Sequence, residues 1–382
     1  MRGRVAIVGA GGFVGARLLE MAAHAGRTDI VPIVRAFRSV ARVANLGIPH
    51  RLADASRTDS LAQALAGCEA VVNLTNGDPA DILSTTRSIY ASAVAAGARL
   101  LVHLSSATVY GQVERRDLPE DAPPLADHWM PYAREKGRAE NFLRERMADG
   151  RLAIVVLRPG LIWGPGSPWL IRPALELVSG SAYLVGDGEG ICNLAYVDNL
   201  VRSIDAVVAH QAPGPGFYNI ADDEITTWRD YYSALAAGLG VDMATVHTVA
   251  GDRYRAGFGG FMEELKKLPP YRWVKASLAQ DTKAAIKLRL KLILDHDPPV
   301  QPGAHASPVV ARDIWHLQTT RYPLPTTRFK ATFGHQNLFS FASGLAASLT
   351  WLHFIGLEVR DAANEPIPSA AAVTPRPTAR VR

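Results

Sequence analysis

Two cysteines, Cys68 and Cys192, are all that this chain of 382 residues contains. They stand far apart and without metal-ligand spacing, which argues against a disulfide framework and fits a reducing compartment. Blocks of one charge are missing too. Lys plus Arg number 41 against 36 Asp plus Glu, so the formal net charge of +5 is small and spread along the chain. Such a balance permits an anionic ligand but supplies no basic stripe for nucleic acid. No clean run of about 20 apolar residues occurs, as a membrane-spanning helix would need. The nearest is LFSFASGLAASLTWLHFIGLEV at 338–359; Ser, Thr, His and Gly interrupt it, and it is expected to pack as an amphipathic helix. The opening MRGRVAIVGAGG carries no signal-peptide cleavage pattern. These features predict a cytoplasmic protein without an integral membrane segment. His296, His305, His316, His335 and His353 are scattered, and no metal is expected.

What is present is an alternation. Short, continuously apolar runs appear at VAIVG (5–9), IVPIVR (30–35), AVVNL (70–74), LLVHLSS (100–106) and IVVLRP (154–159). Between them lie helix-patterned stretches at 13–25, 60–67, 82–97 and 131–148. Apolar strands separated by helices are the mark of parallel βαβ units covered on both faces. The expected fold class is therefore α/β, a doubly wound Rossmann-type parallel sheet with a smaller C-terminal substrate-binding lobe. Residues 1–160 would form most of the dinucleotide-binding part. Residues 161–361 would form the lobe, with about 190–220 returning to the core. Residues 362–382, ending TPRPTARVR, read as a disordered tail. KAAIKLRLKLIL at 283–294 is a basic helix, read as a solvated amphipathic face in preference to a membrane-surface helix.

The first strand runs straight into GAGGFVG, which spaces Gly9, Gly12 and Gly15 at the start of a helix. Gly9 would allow the tight turn. Gly12 would let the backbone approach a pyrophosphate, and Gly15 would let helix and sheet pack closely. The helix N-terminus, with Phe13 and Val14, then faces the phosphates with unpaired N–H groups. At the end of the second strand a carboxylate would bind a ribose 2′-hydroxyl, whereas a cation would accept a 2′-phosphate. Here the strand ends at Arg35, Arg38 follows, and no Asp or Glu is present. The planar guanidinium suits phosphate, so NADP is favoured over NAD. Asp54, in HRLADAS, is a candidate acceptor for the adenine amino group, or else a cap for the helix that follows.

PYAREKGRAE at 131–140 places Tyr132 and Lys136 four apart, on one face of a helix opening after Pro131. Alone, the pair is compatible with a solvated surface. A proton-transfer device also needs a bound cofactor and a hydroxyl partner, and HLSSATVYG puts Ser106 at the C-terminal edge of the sheet, where open α/β folds hold ligands.

GAGGFVG, LSSATVYG, PYAREK, LRPGLIWGPG and YVDNLV occur in the order found in the extended short-chain dehydrogenase/reductase family, and the chain resembles its NAD(P)-dependent epimerase/dehydratase group. That resemblance implies Tyr132 as general acid/base, Lys136 as its partner and Ser106 as the hydroxyl orienting the substrate oxygen. A phenol with a reference pKa of about 10 needs a neighbouring ammonium and the nicotinamide charge to serve as a base. The cofactor site is expected over Gly9, Gly12, Phe13, Val14, Gly15, Arg35, Arg38, Asp54, Leu74, Tyr132, Lys136 and Pro159. Thr108, Trp163 and Asn193 are expected on the substrate side, with Trp163, Trp169 and Asn193 in loops facing the cleft; Arg172 reads as a solvated helix residue. ILSTT at 82–86 lacks the asparagine many members carry, and Pro159 and Gly160 stand closer to 3β-hydroxysteroid dehydrogenase-like enzymes and dihydroflavonol-type reductases. The expected activity is hydride transfer at a secondary alcohol or ketone of a nucleotide-sugar or related substrate. The alternatives are an apolar ketone or alcohol, and a non-catalytic dinucleotide sensor. A homodimer through a four-helix contact that includes the Tyr–Lys helix is implied by the same resemblance.

Overall fold

In a computed structural model the described residues are 3–36, 39, 44–111, 113, 115, 117–251, 254 and 308–357. Arg38, the basic stretch at 283–294, the expected tail, His296 and His305 lie outside them.

The apolar runs become strands β1 (Arg4–Val8), β2 (Ile30–Val34), β3 (Arg51–Leu52), β4 (Cys68–Asn73), β5 (Leu100–Leu104) and β6 (Ala153–Pro159). They alternate with helices α1 (Phe13–His24), α2 (Thr58–Leu65), α3 (Ile82–Ala95) and α4 (Pro131–Met147). Beyond them come β7 (Leu161–Trp163), α5 (Pro168–Val178), β8 (Tyr183–Val185), β9 (Leu194–Tyr196), α6 (Val197–Ala209), β10 (Gly216–Ile220), α7 (Trp228–Leu239) and β11 (His247–Val249). The last described helices are α8 (Arg312–Gln318), α9 (Thr327–Phe333) and α10 (Phe341–Phe354).

Seven strands form one parallel sheet in the order β3-β2-β1-β4-β5-β6-β10. Parallel strands need covered faces. One face of this sheet packs on α1 and α6 through Leu18, Leu19, Leu200 and Ile204; the other packs on α2, α3 and α4 through Leu61, Ile89 and Leu143. A third core joins α5, α7 and α10 around Trp163, Leu170, Trp228, Tyr231 and Leu352. Two small parallel pairs, β7 with β9 and β8 with β11, edge this lobe. α10 buries Gly344, Ser348 and Leu352, and no helix among the described residues is long and apolar enough to cross a membrane.

The chain from 318 to 339 returns across both parts as a strap. Side chains from earlier in the chain hold it by its backbone. Asn193 Oδ1 accepts from Leu324 N at 2.8 Å, and Glu120 Oε1 accepts from Arg328 N at 2.6 Å. Asn199 Oδ1 accepts from Leu338 N at 3.2 Å and Phe339 N at 3.1 Å, while Asn219 Nδ2 donates to Pro325 O at 3.0 Å.

Candidate functional site

A cleft of about 1200 Å³ opens along the C-terminal ends of β1, β2, β4 and β5. Its first corner is the glycine turn. Gly9 sits at φ +90, and a Cβ there would lie 2.9 Å from the backbone of Leu74, so the turn and the close approach of two strands both require glycine. At Gly12, the N-cap of α1, a Cβ would meet only Gly9 O at 3.3 Å and would otherwise project into the cleft mouth. A Cβ at Gly15 would collide with Gly9 O at 2.5 Å, so the close approach that needs glycine here is between α1 and the turn, where packing against the sheet was expected. Gly11, which the sequence argument passed over, touches the next loop: a Cβ would meet Ser39 O at 2.1 Å. Phe13, Val14, Leu74 and Pro159 also line the cleft.

Arg35 stands exposed at the cleft rim directly after β2, within electrostatic reach of Asp54. Asp54 caps no helix; its Oδ1 accepts from Ser56 N at 2.9 Å and Ser56 Oγ at 2.7 Å, and these bonds hold its pKa below the usual carboxylate range. The N-cap of α2 is Arg57, without a side-chain capping bond.

The chemistry-bearing side chains line the same cleft. Pro131 opens α4 at the position where its missing N–H costs nothing, which starts Tyr132 and Lys136 together in the first turns. Ser106 follows β5; its Oγ accepts from Thr108 N at 3.3 Å and Thr108 Oγ1 at 2.9 Å. Tyr132 is half-buried, and burial pushes its phenol up to about 12 against the opposing pull of a hydrogen bond with Ser106. Lys136 is buried, its Nζ 5.8 Å from the Tyr132 ring centre and donating to the Leu104 carbonyl at 2.9 Å. Burial lowers its ammonium to about 8. Ser106, Thr108, Tyr132 and Lys136 all line the cleft.

Behind them a buried ion pair fixes α4 to β6. Both Arg158 and Glu140 have fully buried side chains, with Nη2 and Oε2 2.5 Å apart. Arg158 Nη1 also donates to Tyr110 Oη at 2.6 Å and to the carbonyls of Glu120 and Ala122.

One substrate-side expectation needs correction. Trp163 is not in a cleft-facing loop: it lies in β7, is fully buried in the third core, and its indole N–H donates to Asp222 Oδ2 at 2.8 Å. Pairing of β7 with β9 turns the ring inward. Trp169 does line the cleft, but from the first turn of α5 and not from a loop. Asn193 lines it as well, with its amide engaged by the strap at Tyr322 and Leu324. Arg172 pairs with Glu176 at 2.8 Å on α5. Asn73 and His103, which no motif singles out, form a buried side-chain pair joined at 2.9 Å across β4 and β5; the local sign of each is a polar residue late in an apolar run.

A parallel sheet ending in a glycine turn, with an open cleft beside a helix N-terminus, defines a dinucleotide-binding enzyme. The chain belongs to the NAD dependent epimerase/dehydratase family, whose pattern matches residues 5–221. It is 26% identical over 262 residues to the N-acetyl-alpha-D-glucosaminyl-diphospho-ditrans,octacis-undecaprenol 4-epimerase of Escherichia coli O157:H7, covering 65% of this chain and 76% of that protein. It is 28% identical over 278 residues to the 2-alkyl-3-oxoalkanoate reductase of Stenotrophomonas maltophilia (strain K279a), covering 66% and 81%. Its fold matches a DesIV double mutant (dTDP-glucose 4,6-dehydratase) from Streptomyces venezuelae, solved with NAD and DAU bound, with a TM-score of 0.65, 19% identity, and 92% and 97% of the two chains covered.

Proposed function

We propose that the protein transfers hydride between NADP and a secondary alcohol or ketone, with Tyr132 as the proton-transfer group. The observation that carries this is the meeting of the Tyr132 phenol, the Ser106 hydroxyl and the Lys136 ammonium in the cleft that the glycine turn also lines. The glycine turn supports a diphosphate, and Arg35 at the rim supports a 2′-phosphate. When bound, the nicotinamide accepts or supplies the hydride. In reduction, Tyr132 donates its proton to the substrate oxygen while Ser106 holds that oxygen; in oxidation, Tyr132 takes the proton back. The Lys136 charge favours the phenolate and so makes the return step accessible.

Beyond Tyr132 the described cleft wall is mostly apolar, with Leu161, Ile162, Trp169, Ile191 and Leu324, beside the polar Asn193 and Thr320 and the charged Asp313. A diphosphate would want a cation there. The wall therefore favours a substrate with an apolar body, in line with the oxoalkanoate reductase relative. A sugar carried on a nucleotide is the second reading, supported by the fold shared with the dTDP-glucose dehydratase. Incubation with NADPH and a panel of alkyl ketones and nucleotide sugars separates them. Net loss of nicotinamide absorbance with a ketone supports reduction, and isomerised or dehydrated sugar without net cofactor change supports the second reading. No turnover and no NADPH binding would sink both. We also infer a homodimer paired through α3 and α4, tested by sedimentation. A reducing, cytoplasmic setting is supported by two free, buried thiols, Cys68 and Cys192.

A further inference from the structure

His103 belongs to β5 and faces the same side of the sheet as Leu101, the side covered by α3 and α4. It is 1% exposed, yet it contributes to the cleft wall beside Lys136, whose charge reaches it. The hydrogen bonds below it fix which ring nitrogen carries the proton. Thr75 N, a donor by necessity, gives its hydrogen to Asn73 Oδ1 at 3.0 Å, and Thr75 Oγ1 donates to the same oxygen at 2.7 Å. That orients the amide, so Asn73 Nδ2 is the donor toward His103 Nδ1 at 2.9 Å. Nδ1 is therefore an acceptor, and the neutral ring carries its hydrogen on Nε2. An imidazolium would set two donors against each other at Asn73, and burial together with the Lys136 charge also disfavours it.

The hydrogen on Nε2 is a buried donor without an acceptor among the described residues. So is the Oγ of Ser105, 3% exposed, two residues on and on the same face. Unsatisfied buried polar atoms are rare and call for a partner. Among the described residues Lys136 spends one of its three donors, on the Leu104 carbonyl next in sequence to His103. All three groups line the cleft, and the Lys136 charge reaches His103: two donors, from His103 and Lys136, and the Ser105 hydroxyl. That set suits a single oxygen atom, which accepts from the two nitrogens and donates to Ser105.

We propose that His103 presents a fixed Nε2–H to an oxygen that also contacts the Lys136 ammonium, which makes His103 and Asn73 positioning residues for that lysine. The inference rests on the reading of Tyr132 and Lys136 as the proton-transfer pair. The oxygen belongs either to an ordered water or to a hydroxyl of the bound dinucleotide. The charged and titratable groups around it are Lys136, Tyr132, and Glu140, the last held by Arg158. Without the Nε2–H to hold it, that oxygen is a less well-placed acceptor for the ammonium, so the charged form of Lys136 becomes less favoured.

The test joins spectroscopy with kinetics on the full chain. In nitrogen-15 histidine spectra, with His103→Gln used for assignment, His103 should stay in the neutral Nε2–H form from pH 5 to 9. An Nδ1–H form, or titration near the free-histidine value, overturns the proposal whatever the enzyme's activity. A hydrogen-bonded Nε2 proton in the free protein identifies water, and a shift that appears only on adding NADPH identifies a ligand hydroxyl; no hydrogen-bond shift in either state overturns the idea. His103→Leu should lower kcat by up to about tenfold, the loss of roughly one neutral hydrogen bond. It should also move the alkaline limb of the pH profile to lower pH, while His103→Gln, which keeps an N–H donor, recovers most of both. A folded His103→Leu enzyme with wild-type kcat and pH profile refutes the proposal, provided Tyr132→Phe is inactive. Should Tyr132→Phe turn over normally, the proton-transfer reading fails instead, and the histidine spectra still decide the tautomer.

Discussion

Replacing Arg35 by alanine tests the choice of dinucleotide most directly. The side chain is exposed at the rim, and the carboxylate of Asp54 shares its surroundings. A hydrogen bond to a charged group contributes about 1.5–3 kcal/mol, and solvent exposure argues for the lower end. About 1.5 kcal/mol corresponds to roughly a tenfold change in Kd. Arg35→Ala should therefore weaken NADPH binding about tenfold and leave NADH nearly unchanged, because Asp54, Gly9 and Gly12 are untouched. The contrast should shrink as salt rises, since an exposed charge pair is screened over about 10 Å at 0.1 M. The assay is a titration of nicotinamide fluorescence with each cofactor at two salt concentrations. If wild-type protein binds NADH as tightly as NADPH, or if the substitution weakens both equally, the assignment of Arg35 to a 2′-phosphate is wrong.

Tyr132→Phe keeps the ring and removes the proton donor, so kcat should fall by about 10²–10⁴ with NADPH affinity preserved; stopped-flow binding beside steady-state turnover checks this. Lys136→Met should stabilise the fold while abolishing turnover. The folded ammonium titrates near 8 against 10.5 for the unfolded chain, so between those values the unfolded state holds more protons and wild-type stability rises with pH. The melting advantage of Lys136→Met should accordingly be largest below pH 8 and shrink toward pH 10.5, as scanning calorimetry of both proteins would show. Glu140→Gln leaves the Arg158 charge buried and unpaired, a loss of about 3–5 kcal/mol readable as a lower midpoint in urea; an unchanged midpoint would mean the pair adds nothing.

The sheet was readable because each of β1, β4, β5 and β6 is a mainly apolar, mainly buried run, as strands covered on both faces require. Tyr132 and Lys136 were readable because helical spacing puts them on one face and the ordered motifs around them resemble a family that uses such a pair. Trp163 was misplaced because β7 spans three residues and is flanked by glycines; only its partner β9, thirty residues on, makes it a strand. β8 and β11 escaped notice for the same reason. Asn73 and His103 each left a local sign, but that they form a pair was not legible, because the cross-strand contact lies outside any local window.

The strap's attachment has a consequence for how such an enzyme changes its diet. Asn193, Glu120, Asn199 and Asn219 grip amide and carbonyl groups, which every residue type but proline supplies alike. Leu324, in the binding wall, can change its side chain without loosening its bond to Asn193, whereas Gln318 and Asn337 of the same segment are moored through their own amides and Phe329 is buried. Selection or a protein engineer can therefore retailor what the enzyme accepts while the machinery on the far side stays undisturbed.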